Sequence, residues 1–200
     1  MTDGALLEEQ RTSPALAAYL APLTPVEDRL FTDPTGPDRL QVMSYLTDMP
    51  PPVEQVRSVR CVMLRAETAL ALRKEDGAHI LPGGRREPGE TLLQTLEREL
   101  LEETGWTTSP VRQIGVVRLR WLTARPATWP SDSPFYPDFL WLIYAAEPRS
   151  HRPEAMLGDV EEGVPAFLSW TDPEAQALLA RSTWAPENRV FLAEARRVRG

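Results

Sequence analysis

The stretch LPGGRREPGETLLQTLERELLEETGW, residues 81–106, joins a glycine-rich loop to a segment crowded with carboxylates. Thr91 stands three residues before Gln94, the spacing of a capping box, and Gly105 is a natural helix stop. The spacing therefore predicts a helix over Leu92–Thr104. At about 100° per residue, Leu93, Leu96 and Leu100 share one face, and Glu99, Glu102 and Glu103, at i, i+3 and i+4, occupy the adjacent one. The carboxylates are expected at the rim of the core, pointing into a cleft. Like charges so placed repel one another, more strongly when partly desolvated. A hard divalent cation offsets that repulsion best, since Mg²⁺ takes carboxylate oxygens, keeps several waters and bridges to phosphates. Gly83 and Gly84 let the backbone turn tightly and approach a ligand, leaving carbonyl oxygens to join a coordination sphere. Arg98 lies beside the acidic face and can pair with Glu90, which would hold the loop against the helix as a positional device.

Outward from this stretch the chain alternates as strands do. In residues 56–64, Val59, Cys61 and Met63 alternate with Arg60, Val62 and Leu64, the pattern of a strand covered on both faces. A second strand over residues 68–74 runs to a turn at Glu75-Asp76-Gly77, and His79-Ile80-Leu81 leads into the glycine loop. Beyond the helix, residues 111–123 place Val117, Leu119 and Trp121 on one side and Arg118 and Arg120 on the other. Residues 139–146, FLWLIYAA, are apolar on both faces, and residues 166–170 form a last strand. Asp172 is placed to cap a helix over 173–181 ahead of Pro173, and 186–198 reads as a terminal helix with Arg196, Arg197 and Arg199 near its C-terminal end. Upstream, residues 4–20 carry a weak helical pattern interrupted at Ser13-Pro14, and 39–45 suit an outlying strand. Strands, one helix, more strands and a terminal helix make the class α+β, with helices packed on a mixed sheet.

Composition bounds the chemistry. At 200 residues and 22.5 kDa the chain suits one well-buried core with appended elements. The 20 prolines cluster at 22–37, 50–52 and 126–137, which makes long, stiff connections, and Pro50-Pro51-Pro52 marks a boundary. The expected organisation is an N-terminal extension over 1–52 with a short helix and strand, a main domain over 53–182, and a C-terminal helix over 183–200 packed on it. A formal net charge of −7 disfavours an extended nucleic-acid surface. No apolar run approaches the roughly 20 residues that span a bilayer, and the first twenty residues lack the form of a signal peptide, so a cytoplasmic protein with no membrane partner is expected. Cys61, the single cysteine, reads as an inert core residue in a reducing compartment.

Gly84, Glu90, Arg98, Glu99, Leu100, Glu102, Glu103, Gly105 and Trp106 fill nine constrained positions over twenty-three residues. In this the stretch resembles the Nudix box of the Nudix hydrolases, and the flanking strand order resembles that family's fold over roughly residues 53–179. The resemblance implies an α/β/α sandwich and Mg²⁺- or Mn²⁺-dependent hydrolysis of a phosphoanhydride bond in a nucleoside diphosphate linked to another moiety, by attack of a metal-activated water. Carried over by position, it implies Glu99, Glu102, Glu103 and the Gly84 carbonyl as metal ligands, and Arg98 with Glu90 as the orienting pair. A general base comes either from Glu102 or Glu103 in the box or from Glu161 or Glu162 in the acidic loop, a region from which some related enzymes supply one.

One family feature is absent, a small residue before the arginine, where Glu97 stands on the expected solvent side. Downstream, at the positions of subclass signatures, the chain has Trp121, Leu122, Thr123 and Ala124, which support neither an ADP-ribose nor a dinucleoside-polyphosphate assignment. Competing readings are plainer. The acidic residues of 154–163 make an ordinary solvated turn. Trp129, Phe135 and Tyr136 either stack on a nucleobase or pin a proline-rich loop. Arg118 and Arg120 either contact phosphate or lie in solvent, His79 packs, and His151 has no evident partner. The whole chain also admits a non-catalytic nucleotide-sensing or partner-binding module, with the N-terminal extension and the basic C-terminal helix as contact surfaces. Separately, residues 1–52 suit a homodimer interface or a lid.

Overall fold

The computed structural model describes residues 11–32, 39–75, 77–109, 111–125, 133–157 and 163–199. In chain order its elements are α1 (Pro14–Leu20), β1 (Glu27–Thr32), β2 (Arg39–Leu46), β3 (Val56–Arg65), β4 (Thr68–Arg73), β5 (Ala78–His79) and β6 (Gly83–Arg85). Then follow α2 (Leu92–Thr104), β7 (Trp106–Thr108), β8 (Arg112–Trp121), β9 (Asp138–Ala146), β10 (Pro148–His151), β11 (Val164–Ser169), α3 (Pro173–Arg181) and α4 (Ala185–Arg199). One mixed sheet runs in the order β1-β2-β8-β9-β3-β4-β11, with β5 added to β4 and β6 to β3. Its β3–β9 pairing is parallel and the others are antiparallel, while β7 and β10 form a separate antiparallel ribbon.

Alternation in β3 explains why helices cover both faces. Val59, Cys61 and Met63 project with Leu140 and Leu142 of β9 into a core closed by Leu16 of α1 and by Leu96 and Leu100 of α2. Val62 and Leu64 project the other way, with Val117, Leu119 and Ile143, and meet Phe191 and Ala195 of α4. All of these side chains are at most 2% exposed, so each large one contributes about 1.5–3 kcal/mol of burial. The result is the expected α+β arrangement, a mixed sheet between helical layers. Cys61 is a fully buried free thiol whose pKa burial raises.

The N-terminal residues are built into this sheet. Ser13 accepts the Leu16 N–H at 3.3 Å and Pro14 follows it, so the pair expected to interrupt a helix starts one. β2 pairs with β8 through Leu40–Leu46, and β1 lies outside it. No strand was expected at β1, whose sequence EDRLFT has no fully buried residue; Leu30 is 61% exposed. It is held from outside its own pattern, because Arg29 reaches Glu187 of α4 with two hydrogen bonds of 3.0 and 2.9 Å, and Glu187 is wholly buried. Leu93 also departs from expectation. It sits on the first turn of α2 and is 47% exposed, while Thr95 and Thr104 join Leu96 and Leu100 in the interior.

Gly115 and Asn188 fix how α4 meets the sheet. A Cβ at Gly115 would fall on the Tyr45 carbonyl oxygen and crowd Phe191, so only glycine lets β8 run this close to β2 beneath α4. Asn188, 2% exposed, accepts the Ile80 N–H at 3.2 Å and donates to the Ala78 carbonyl at 3.3 Å. It thereby anchors the backbone that leads into the glycine loop. Among the described residues, no helix is long and apolar enough to cross a membrane. Replacing Asn188 by Ala strands a buried N–H and a buried carbonyl, so we expect a loss of about 1–3 kcal/mol in urea unfolding, read as a lower midpoint at unchanged m-value.

Candidate active site

Local chemistry builds the loop and helix as one unit. Thr91 accepts the Gln94 N–H at 3.3 Å while Gln94 accepts the Thr91 N–H at 2.9 Å, a reciprocal cap that starts α2. Gly105 ends it in the left-handed conformation, φ 69°. Gly83 has φ 127°, and a Cβ there would fall on the Val59 carbonyl oxygen; at Gly84 it would fall on the Glu99 carboxylate. The two glycines thus do different things: Gly83 lets the loop lie against β3, and Gly84 admits the acidic side of α2. The Gly83 N–H donates to Glu103 at 2.7 Å and closes the same junction.

Arg98 gathers the carboxylates. Its Nε and Nη2 donate to the two oxygens of Glu90 at 2.6 and 3.0 Å, its Nη1 donates to Glu99 at 3.0 Å and Glu102 at 3.1 Å, and Nη2 also reaches the Arg85 carbonyl at 3.1 Å. Glu90 further accepts from Thr95 Oγ1 at 2.8 Å and the Glu87 N–H at 3.0 Å. These donors, Arg98 foremost, pull the Glu90 pKa down to about 2 despite some desolvation. The same carboxylates push the Arg98 pKa up.

Three of these carboxylates, Glu90, Glu99 and Glu102, share the one guanidinium of Arg98, and Glu103 stands beside them on α2. Among the described residues, no group of three His, Cys, Asp or Glu side chains already stands in metal-holding geometry. Glu99 and Glu102 share one guanidinium nitrogen, and Glu103 is engaged on Gly83. The donor set nevertheless fits a hard cation: carboxylate oxygens side by side on a helix, with the Glu99 carboxylate set against Gly84, where any side chain would displace it.

The remaining sequence candidates are dispersed. Glu161, Glu162 and Asp159 lie outside the described residues, as does Trp129. Glu154 is exposed within a 3-10 turn, Pro153–Ala155. Arg118 and Arg120 converge on Asp138, which is 2% exposed, with nearest approaches of 2.7 and 3.0 Å, and both donate to Thr12 Oγ1. Tyr136 donates to the Thr123 carbonyl at 3.2 Å and Phe135 packs on the core, so both pin the loop. His79 packs, its pKa lowered to about 4 by burial and by Arg60 and Lys74, and is neutral at pH 7. His151 has a partner after all, stacking on Trp106 at 4.4 Å. Two arginines escaped the sequence reading. Arg57 lies over Phe139 at 5.1 Å, and Arg60 lies over Trp141 at 4.4 Å while donating to the Leu81 carbonyl. Their signal was a cation in a strand otherwise apolar on both faces.

Comparison with known proteins agrees with this geometry. A family model described as NUDIX domain matches residues 54–195, well over half of the chain. Among solved structures, the Bacillus subtilis pyrophosphohydrolase BsRppH superposes with a TM-score of 0.55 at 17% identity, over 84% of this chain and 97% of that one. A NUDIX hydrolase from Nitrosomonas europaea does so with a TM-score of 0.52 at 22% identity, over 71% and 89%. At these identities the likeness is one of fold. No curated protein sequence matches the chain. The extent of the domain match, the mixed sheet between helical layers and the loop–helix unit with its arginine-bound carboxylates agree: the chain belongs to the Nudix hydrolase family.

Proposed function

We propose that the chain hydrolyses a phosphoanhydride bond in a nucleoside diphosphate linked to another moiety. The observation that carries this reading is that three carboxylates, Glu90, Glu99 and Glu102, meet on the one guanidinium of Arg98 beside Gly84, with Glu103 next to them on α2. Glu99, Glu102, Glu103 and the Gly84 carbonyl would hold a divalent cation, Mg²⁺ or Mn²⁺, which when bound would supply water activation and charge neutralisation on the diphosphate. The chain's own residues do the positioning. Glu90 holds Arg98, and Arg98 sets the side-chain directions of Glu99 and Glu102. Glu103 fixes the loop by accepting the Gly83 N–H.

The same contacts narrow the choice of base. With its pKa near 2, Glu90 is a poor proton acceptor at neutral pH. The acceptor is therefore sought between the box, Glu102 or Glu103, and the acidic loop, Glu161 or Glu162.

Changing Glu102 and Glu103 together to Gln should lower turnover of a nucleoside diphosphate panel in Mg²⁺ by about 10²-fold or more, with the circular dichroism spectrum kept. A folded double variant that hydrolyses at the wild-type rate overturns the reading, and a variant and wild type that bind nucleotide equally without turnover point to a sensing module. Of the single variants Glu161→Gln and Glu162→Gln, one should lose about 10²–10⁴-fold in kcat at unchanged metal affinity; wild-type kcat in both assigns the base to the box, Glu102 or Glu103.

Glu90 also makes stability depend on pH. Its folded pKa lies below the ordinary value of 4.5, so its stabilising contribution is complete above that value and drains away as pH falls toward about 2. Unfolding midpoints measured from pH 5 to pH 2.5 should fall more steeply for wild type than for Glu90→Gln.

A further inference from the structure

Thr95 is a polar residue on the buried side of α2, near its start. Its side chain is wholly buried, as are those of Leu96 and Leu100. Valine has the same branched shape, so packing alone gives no reason for a hydroxyl at this position. A buried hydroxyl must place its single proton on an acceptor within the fold. Two acceptors lie within reach, Glu90 Oε2 at 2.8 Å and the Thr91 carbonyl, four residues back, at 3.2 Å. The carboxylate is both nearer and charged, so it takes the proton. Thr104, equally buried on the same helix, shows the ordinary habit of a helical threonine, since its hydroxyl donates to the Leu100 carbonyl four residues back. Thr95 departs from that habit.

The departure matters because of what Glu90 holds. Nε and Nη2, one edge of the Arg98 guanidinium, meet the two Glu90 oxygens, and Nη1 on the other edge meets Glu99 and Glu102. A bidentate pair fixes two planar groups relative to each other and leaves them free to swing together. Two ties hold the pair from upstream of the helix, the Glu87 N–H on Glu90 at 3.0 Å and the Arg85 carbonyl on Arg98 at 3.1 Å. Thr95 supplies the tie to α2 itself, the rigid element that carries Glu99, Glu102 and Glu103. Arg98 and Glu90 keep 24% and 17% side-chain exposure, whereas Thr95 is sealed, so water does not compete for its hydroxyl.

We propose that Thr95 is a positioning residue of the hydrolytic site: its hydroxyl sets the plane of the Glu90 carboxylate, and through it the direction in which Arg98 faces Glu99 and Glu102. The inference rests on the hydrolytic reading for its effect on turnover, whereas the placement of Arg98 needs neither metal nor substrate. Without the hydroxyl the Glu90–Arg98 pair turns about its upstream ties, Nη1 moves with it, and Glu99 and Glu102 lose their common direction. A misplacement of about 1 Å in a site of this kind costs on the order of 10²-fold in rate.

The test follows hydrogen exchange of the Arg98 Nε–H resonance in the full chain with a chelator present, and in parallel kcat and KM on a nucleoside diphosphate panel in Mg²⁺. In Thr95→Val we expect exchange at least about tenfold faster, and kcat lower by about tenfold or more with KM within about threefold. Thr95→Ser, which restores the hydroxyl, should recover both. Thr104→Val removes a buried hydroxyl from the same helix without touching Glu90, and Arg98 exchange in it should match wild type. Urea unfolding midpoints establish that each variant is folded, and Thr95→Ala is read in place of Thr95→Val should that one not fold. Wild-type exchange in the folded Thr95 variant, wild-type kcat beside faster exchange, or an equal acceleration in Thr104→Val overturns the proposal. A wild-type chain that turns over nothing overturns the hydrolytic reading instead, and the exchange rates alone then decide the placement of Arg98.

Discussion

The guanidinium of Arg98 is the constraint on which the site depends. One planar group meets Glu90, Glu99, Glu102 and the Arg85 carbonyl, and so ties the loop before α2 to the acidic edge of the helix itself. A lysine could satisfy the charge but not this geometry, since its single ammonium has no rigid fork to reach four acceptors in different directions. At 24% side-chain exposure the guanidinium is neither in bulk water nor sealed from it. Its pairings therefore act more through direction than through net stability.

That fork has meaning only because the backbone beneath it is fixed from two other sides. Gly83 and Gly84 press the loop against β3 and α2, and Asn188 grips the chain at Ala78 and Ile80 just upstream. Asn188 in turn rides on α4, whose Glu187 is clamped by Arg29 of β1. A line of contact runs from the sheet's outer strand, through the terminal helix, to the loop that presents the carboxylates. The elements most remote in sequence are thus mechanically joined to the loop.

Patterns with a period were legible in the sequence, and convergences were not. The capping box at Thr91 and Gln94, the stop at Gly105 and the alternation through Val59–Leu64 and Val117–Trp121 depend on neighbours within a few residues, and the structure keeps them. β1 was hidden because its partners are long-range: its six residues carry no buried side chain, and Arg29 finds Glu187 across 158 positions. Arg118 and Arg120 could be placed on one strand face, but Asp138 and Thr12, which occupy them, come from β9 and from before α1. Leu93 failed for another reason. Helical periodicity gives an angle and not a depth, and on the first turn of α2 it is Leu92 that packs on the core while Leu93 is left 47% exposed.

Charge is distributed around Gly83 in a way composition could not reveal. Beside α2, Arg98 gathers Glu90, Glu99 and Glu102; across the sheet, Arg60 of β3 lies over Trp141 and donates to the Leu81 carbonyl. The strand's own period does this sorting: Val59 and Cys61 face the core beneath α2 with Leu140 and Leu142, so Arg60 between them falls on the other face, with Trp141.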